Sequence, residues 1–215
     1  MRRRHVIIVL VLFALAGLSI ADHAGVFGAQ GPDRTRYDGV IATVVHAADG
    51  DTLDVDIPDG RRNRTRIRLW GVDCPEIAHG KGEADAYYGR EAADFVRAHV
   101  VGRRVKLVLD PIHPPRDKHG RLLAYVYLVD AAGNPMEAGA GPTGAVLAPP
   151  EGQSLNQWLI ERGLAYADFR FEHVHEIRCE RAERTARKAK AGLWAGVREA
   201  QMPEWRRRMD AARKK

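Results

Sequence analysis

Cysteine is scarce in this sequence, which contains only Cys74 and Cys179 among its 215 residues. Neither a C-x-x-C pair nor an H-x-x-x-H pair occurs, and such spacings are typical of zinc sites. A zinc-based function is therefore not expected. The two cysteines could form one disulfide in an oxidising compartment, or both could be small buried residues, and the sequence leaves these two possibilities open.

Long apolar runs are also few. Residues 6–20 are all apolar or small, and this run is slightly short of the roughly 20 residues that a membrane-spanning helix needs. The run follows the basic residues 2–4 and ends at Ser19-Ile20-Ala21, a pattern that signal peptidases accept. We expect a signal peptide at residues 1–21 and export of the chain to a secreted, periplasmic or cell-surface location. An uncleaved anchor through residues 6–20, with the rest of the chain outside the membrane, is the alternative.

Acidic residues are outnumbered by basic ones, 28 against 34, which gives a formal net charge of +6. A basic surface attracts polyanions, so nucleic acid and anionic membrane surfaces are the favoured partners. The hydrophobic content of 45% and the charged content of 29% are ordinary for a globular protein and argue against global disorder. The length suits one domain with a proper core and is short for two.

Alternating apolar and polar residues predict about five β-strands. They are expected near residues 40–45, 53–57, 64–72, 105–109 and 122–129. A helical pattern at residues 88–100 interrupts the strands after the third one. Closely spaced strands with one inserted helix favour a small closed barrel of the α+β class over a parallel, doubly wound sheet.

The chain divides into four segments, one of which carries an insertion. The segments are the signal peptide or anchor at 1–21, a polar, Gly-rich linker at 22–37, a single domain at 38–197 with a flexible insertion at 131–152, and a basic tail at 198–215. Two further helices are predicted inside the domain, at 154–161 and 175–190. We favour a solvated tail, with contact to phosphates or lipids as the alternative.

Three short segments contain most of the polar residues that could carry chemistry. They are Asp49-Gly50-Asp51-Thr52, the run from Arg68 to Glu76, and Asp117-Lys118-His119-Gly120-Arg121. Each has an ordinary explanation when taken alone, since Asp-Gly forms turns and Asp-x-Pro-Glu can cap a helix. Their combination is more informative than any one of them.

Together the three segments supply a metal site and a phosphate site. Asp51 and Asp73 are hard oxygen donors that suit Ca²⁺. Arg68 and Arg121 carry planar guanidinium groups, which match a phosphodiester and can stabilise the charge that develops in its transition state. Glu76 is placed to orient or deprotonate an attacking water. We therefore predict a metal-dependent phosphodiesterase.

The order and spacing of these motifs resemble the staphylococcal (micrococcal) nuclease, or thermonuclease, family. The motifs are Asp51-Thr52, Arg68-x-x-x-x-Asp73-x-Pro75-Glu76 and Lys118-x-Gly120-Arg121. The similarity extends over residues 40–194. It implies a five-stranded OB-fold (Greek-key) β-barrel with three α-helices. It also implies a Ca²⁺-dependent enzyme that hydrolyses DNA and RNA at the bond to the 5′ oxygen and leaves 3′-phosphate ends. We expect a monomer.

The resemblance also assigns roles to individual residues. The calcium ligands would be Asp51, Asp73 and the backbone carbonyl of Cys74. The catalytic group would be Arg68, Glu76 and Arg121, with the glutamate activating water. The residues that contact the substrate would be Lys118, His119, Phe169 and Phe171. The last three replace family tyrosines, which preserves stacking but removes hydroxyl hydrogen bonds, so the preference for DNA or RNA is left open.

Two other kinds of protein share parts of this pattern. A non-catalytic OB-fold module would bind nucleic acid or protein without hydrolysing it. A membrane-anchored basic protein would use its positive charge on lipid headgroups. Neither kind needs Asp51, Asp73 and Glu76 together with Arg68 and Arg121, so the presence of all five favours the enzyme.

Overall fold

The computed structural model describes residues 31–78, 80, 82, 84–136, 148–150 and 152–213. The predicted signal peptide or anchor, most of the predicted linker and the centre of the predicted insertion lie outside the described residues. Within the described ranges, no helix is both long enough and apolar enough to cross a membrane.

Five strands form a closed barrel, which confirms the predicted number of strands and the predicted closure, and their order around the barrel is β1-β2-β3-β6-β5. They are β1 (Ile41–Ala47), β2 (Thr52–Val55), β3 (Thr65–Leu69), β5 (Arg104–Val108) and β6 (Leu122–Val129), and a separate two-stranded ribbon pairs β4 (Val72–Asp73) with β7 (Tyr166–Ala167). The inward-facing residues of the barrel strands, such as Leu53, Ile67 and Leu107, are fully buried. The period-2 alternation therefore decides which side of each strand enters the core.

The helices cover the barrel and extend beyond both ends of the predicted domain. They are α1 (Pro32–Tyr37), α2 (Gly89–Val100), α3 (Leu155–Glu161), α4 (Glu176–Ala189) and α5 (Glu204–Arg213), with 3₁₀ turns at Gly192–Ala195 and Glu199–Gln201. The barrel and the three central helices α2, α3 and α4 confirm the OB-fold prediction. The two cysteines are both buried and free, so the structure contains no disulfide between them.

The predicted linker and tail are where the structure differs most from the sequence-based expectation. Residues 32–37 were expected to be linker, but they form α1, because Tyr37 is fully buried and Asp33 forms an ion pair with Arg116 at 2.6 Å. The tail was expected to be solvated, but α5 docks on the domain through Arg206, which is only 2% exposed. Burial of the Tyr37 ring stabilises α1, and in both segments the buried charges have partners, which avoids the cost of an unpaired buried charge.

The third predicted strand is divided in two. Residues 64–72 were expected to be one strand, but β3 ends at Leu69 and β4 begins at Val72. Gly71 between them has φ +75°, a left-handed conformation that side chains with a Cβ rarely adopt. The turn redirects the chain out of the barrel, and β4 then pairs with β7 instead of with a barrel strand.

Asn156 on α3 connects the helical layer to this turn. The side chain is 1% exposed, accepts the backbone N–H of Val126 at 3.0 Å and donates to the carbonyl of Trp70 at 2.9 Å. A second bond runs from its amide to the carbonyl of Ala124 at 3.1 Å. One buried side chain thus satisfies backbone groups of β6 and of the turn after β3.

We predict that Asn156→Ala lowers the free energy of unfolding by about 2–4 kcal/mol, because each buried polar group left unpaired costs about 1–3 kcal/mol. Denaturant-induced unfolding measures this difference. Asn134→Ala is the matched control, since Asn134 is exposed in a turn and should change the stability by less than about 0.5 kcal/mol. Equal stability of the two variants would contradict the bridging role of Asn156.

Candidate active site

The turn after β3 and the β4–β7 ribbon hold the first group of predicted site residues. A Cβ on Gly71 would lie 2.5 Å from a ring carbon of His173, so this turn requires glycine for space as well as for conformation. His173 is buried and its Nδ1 lies 3.0 Å from the hydroxyl of Tyr125, which donates to Asp110 at 2.7 Å. This network fixes the segment on the far side of the turn. Asp73, two residues after Gly71, is thereby held at the edge of the barrel.

Asp51 and Asp73 converge on a single cationic group. The guanidinium of Arg68 donates from Nη2 to Asp73 Oδ1 at 2.7 Å, and its Nη1 is ion-paired with Asp51 Oδ1. The side chains of Asp51 and Asp73 are 2% and 14% exposed, and that of Arg68 is 13% exposed. Two carboxylates this deeply buried need a cation between them, because unpaired buried charge is strongly unfavourable.

The turn before β2 places Asp51 at this point. Asp49 Oδ1 accepts the backbone N–H groups of Asp51 and Thr52 at 2.9 and 2.6 Å, which is the local turn chemistry expected of an Asp-Gly pair. A Cβ on Gly50 would lie 2.7 Å from Cys74 Sγ, so glycine allows this turn to contact the loop after β4. The N–H of Cys74 in turn donates to Asp51 Oδ2 at 2.7 Å.

Cys74 contributes its backbone to the site and keeps its side chain in the core. Its side chain belongs to the hydrophobic core, and burial raises the pKa of the thiol well above its usual range. A neutral, buried thiol is a poor metal ligand, which agrees with the expectation that only the carbonyl of this residue could serve.

Arg121 approaches the same region from the loop before β6. Asp117 Oδ2 accepts from Arg121 Nε at 2.7 Å, while its Oδ1 accepts the backbone N–H groups of His119 and Arg121, both at 2.9 Å. Burial acts to raise the pKa of Asp117, but its bonds to Arg121 and to the backbone outweigh burial and lower that pKa. The carboxylate therefore shapes the loop and orients the Arg121 guanidinium through Nε, so that its terminal nitrogens can bind another partner.

An open cleft of about 570 Å³ brings most of the predicted site residues together. Its charged lining residues are five basic ones, Arg68, Arg116, Lys118, Arg121 and Arg170, and four acidic ones, Asp73, Glu76, Asp117 and Asp168. His119 also lines the cleft. Asp51 lies beneath it at 1% exposure. Arg68, Glu76 and Arg121 thus face one solvent-accessible space, as a shared role in catalysis requires.

The structure separates the two predicted aromatic contacts. Phe171 is 48% exposed, lines the cleft and packs against Trp70 with the ring centroids 5.5 Å apart. Phe169 packs instead against the hydrophobic core, and the guanidinium of Arg206 lies 5.6 Å from its ring. The structure therefore brings Phe171 to the cleft and does not bring Phe169 there.

Two residues at the site were not identified from the sequence. Arg170 donates to Asp73 at 3.2 Å and to Asp168 at 2.7 Å, and it lines the cleft. Trp205 on α5 donates its indole N–H to Asp73 Oδ2 at 2.8 Å. Asp168 and Arg170 stand two residues apart just after β7, a spacing that could have indicated an ion pair. The sequence offers no comparable signal for Trp205.

The residues present are compatible with a calcium ion. In the described ranges, no three His, Cys, Asp or Glu side chains form a metal site on their own. Asp51 and Asp73 nevertheless both bind the Arg68 guanidinium, so two carboxylate oxygens already share one cationic partner. Calcium accepts carboxylates, backbone carbonyls and waters, and it does not require a third acidic side chain.

Several known proteins resemble this chain in sequence. Residues 66–196 match the family model described as "Staphylococcal nuclease homologue". The thermonuclease of Staphylococcus hyicus is 33% identical over 153 residues, which cover 71% of this chain and 74% of that protein. The thermonuclease of Staphylococcus intermedius is 32% identical over 152 residues, with coverages of 70% and 74%. A probable endonuclease of Emericella nidulans is 29% identical over 66% of this chain and 48% of its own length.

We predict that Asp117→Ala lowers the free energy of unfolding at neutral pH by about 1–3 kcal/mol, since two backbone N–H groups and Arg121 lose their acceptor. A carboxyl with a lowered folded-state pKa stabilises the protein above its unfolded pKa of about 3.9, and this contribution is lost as the pH falls through the lower value. The difference from wild type should therefore vanish in acid.

Urea unfolding at several pH values measures this dependence. Asp94→Ala is the control, because Asp94 forms an exposed pair with Arg97 and should matter little at any pH. A difference between Asp117→Ala and wild type that persists undiminished at the acid end would contradict the assigned role of the carboxylate.

Proposed function

Because the chain belongs to the staphylococcal nuclease family, we propose that it is a Ca²⁺-dependent endonuclease that hydrolyses DNA and RNA. Cleavage would occur at the bond to the 5′ oxygen and leave 3′-phosphate ends. The observation that carries this proposal is that Asp51 and Asp73 both pair with the guanidinium of Arg68. This pair lies beside a cleft that is lined by Arg68, Glu76 and Arg121. A non-catalytic binding module has no use for this arrangement.

Asp51, Asp73 and the carbonyl of Cys74 would hold the calcium ion. When bound there, Ca²⁺ supplies positive charge for a phosphate oxygen and makes an attacking water more acidic. Asp51 and Asp73 are preorganised for this task, because one oxygen of each is already fixed by an N–H donor, from Cys74 at 2.7 Å and from Trp205 at 2.8 Å.

The two arginines bind and stabilise the scissile phosphate. Arg68 and Arg121 both line the cleft, approaching it from β3 and from the loop before β6. Each guanidinium offers a planar fork that matches two phosphate oxygens, and the interaction strengthens as negative charge develops in the transition state. Asp117 keeps Arg121 oriented through Nε, so the terminal nitrogens can bind the substrate.

Glu76 acts as the general base. Its side chain is exposed and lines the same cleft, and its backbone carbonyl accepts the N–H of Ala86 at 2.9 Å. A Cβ on Gly89 would lie 2.5 Å from this carbonyl, so the start of α2 packs closely against the loop that carries the glutamate. Glu76 takes a proton from the water that attacks phosphorus, and the leaving 5′ oxygen takes a proton from solvent water.

Lys118, His119 and Phe171 form the substrate-binding wall of the cleft. Lys118 supplies charge for a neighbouring phosphate, and Phe171 offers a half-exposed aromatic face on which a base can stack. We further propose that the enzyme acts outside the cytoplasm, with residues 1–21 as a signal peptide or, in the alternative, residues 6–20 as an anchor.

We predict that the purified chain degrades single-stranded DNA and RNA when Ca²⁺ is present and loses this activity in excess chelator, because the carboxylate pair then lacks its ion. Release of acid-soluble nucleotides measures the rate, and analysis of the product ends checks for 3′-phosphates. Adding Ca²⁺ back is the control for irreversible damage. Undiminished cleavage in excess chelator would contradict the calcium assignment.

We predict that Arg68→Ala, Arg121→Ala and Glu76→Gln each reduce kcat by about 100-fold or more, the usual effect of removing a group that stabilises or activates the transition state. Steady-state kinetics with Ca²⁺ and single-stranded DNA measure this loss. Arg104→Ala is the matched control, because Arg104 is an exposed arginine of β5, paired in register with Val129 at the far end of β6. Wild-type activity in either arginine variant of the cleft would place the phosphate site elsewhere.

A further inference from the structure

The C-terminal helix α5 is fixed to the domain by a buried cluster of charges. Arg206 is 2% exposed and donates to Glu183 of α4 at 2.6 Å and to Asp210 at 3.0 Å. Arg187 of α4 binds both carboxylates, Glu183 at 2.9 Å and Asp210 at 3.1 Å. Two arginines and two carboxylates thus neutralise each other between α4 and α5, so each charge that burial would penalise has a partner.

The same cluster supports the ribbon that carries Asp73. Glu183 also accepts the backbone N–H of Ala167 on β7 at 2.8 Å. β7 pairs with β4 in the register Val72↔Ala167 and Asp73↔Tyr166. The docking of α5 and the placement of Asp73 therefore depend on neighbouring groups of one network.

Trp205 extends this network to the site itself. Its indole N–H donates to Asp73 Oδ2 at 2.8 Å. The guanidinium of Arg170 lies 4.5 Å from the centre of the Trp205 ring, and the Tyr166 ring lies nearly perpendicular to it at a centroid distance of 6.5 Å. The indole is therefore held from two sides, and its donor points at a predicted calcium ligand.

The two oxygens of Asp73 have different partners. Oδ1 accepts from Arg68 at 2.7 Å and from Arg170 at 3.2 Å, whereas Oδ2 accepts from Trp205. Asp51 shows the same division, since its Oδ1 is ion-paired with Arg68 and its Oδ2 accepts the N–H of Cys74. In each carboxylate, Oδ1 faces the shared cation and Oδ2 is held by an N–H group.

We propose that Trp205 is a positioning residue of the calcium site and that α5 thereby contributes to calcium binding. This inference rests on the proposed function. The indole N–H fixes the rotation of the Asp73 carboxylate, so that Oδ1 faces the site that the ion shares with Asp51. Loss of this donor leaves Asp73 Oδ2 without the partner that the structure gives it and allows the carboxylate more rotation. Ordering the carboxylate around the ion then makes calcium binding less favourable.

Trp205→Phe removes the donor and keeps an aromatic ring for Arg170. The experiment titrates the full chain with Ca²⁺ in an isothermal calorimeter without nucleic acid, so that the readout is metal affinity and not turnover. We expect the Kd for Ca²⁺ to rise by about 10-fold or more, the range found when a hydrogen-bond partner of a metal ligand is removed. The kcat at saturating Ca²⁺ should change much less than this affinity.

Trp194→Phe is the matched control. Trp194 packs against Tyr166 at 5.3 Å and against Arg187 at 4.1 Å, so it borders the same network, but the donors to Asp73 in the described part of the chain are Arg68, Arg170 and Trp205. Trp194→Phe should leave the Kd for Ca²⁺ within about twofold of wild type. The expected loss of affinity comes from removing a hydrogen bond to a metal ligand, and Trp194 is not among these donors. Thermal unfolding of both variants in chelator reports any general loss of packing.

Three outcomes would overturn the proposal. A wild-type Kd in Trp205→Phe would show that the indole does not position Asp73. An equal loss of calcium affinity in both tryptophan variants would show that the effect comes from packing in general and not from the indole N–H of Trp205. If the wild-type chain binds no Ca²⁺, the calcium assignment of the proposed function fails and this inference fails with it, and that result is distinct from the first two.

Discussion

The guanidinium of Arg68 lies between Asp51 and Asp73 and pairs with both carboxylates, whose side chains are only 2% and 14% exposed. Every other feature of the site follows from the need to bring these three side chains together from different parts of the chain. The Asp-Gly turn before β2 supplies Asp51, the barrel strand β3 supplies Arg68, and the turn at Gly71 supplies Asp73. Two negative charges in one place favour a cation, and in the proposed enzyme Ca²⁺ would compete with Arg68 for them and leave its guanidinium available to a phosphate.

The barrel is a rigid support, and most of the predicted site residues lie on segments outside its strands. Arg121 and Glu76 both lie on loops, but Asp117 fixes the first loop and close packing at Gly89 fixes the second. Loops anchored in this way combine access to a substrate with a defined geometry. The tail helix extends the same principle, because buried charges hold α5 in place and Trp205 reaches from it to Asp73.

The barrel and the carboxylate pair could be predicted from the sequence because both depend on local patterns. Alternation marks the strands, and Asp51, Arg68 and Asp73 lie in short motifs with recognisable spacing. The docking of α5 on the domain could not be predicted, since a helix rich in arginine is normally solvated and Arg206 is buried only because Glu183 and Asp210 neutralise it. The different positions of Phe169 and Phe171 could not be predicted from the sequence either, because the regular strand β7 ends at Ala167, before both residues.

Direct measurement of calcium binding to Asp51→Asn tests the proposed metal site most sharply. Asp54→Asn is the matched control, since Asp54 is a buried carboxylate on β2, the strand that follows Asp51, and it pairs with Arg66. We expect the wild-type chain and Asp54→Asn to bind one Ca²⁺ per chain in calorimetry and Asp51→Asn to bind it far more weakly. Equal calcium affinity in Asp51→Asn and wild type would contradict this assignment, because the carboxylate pair would then not be the metal site.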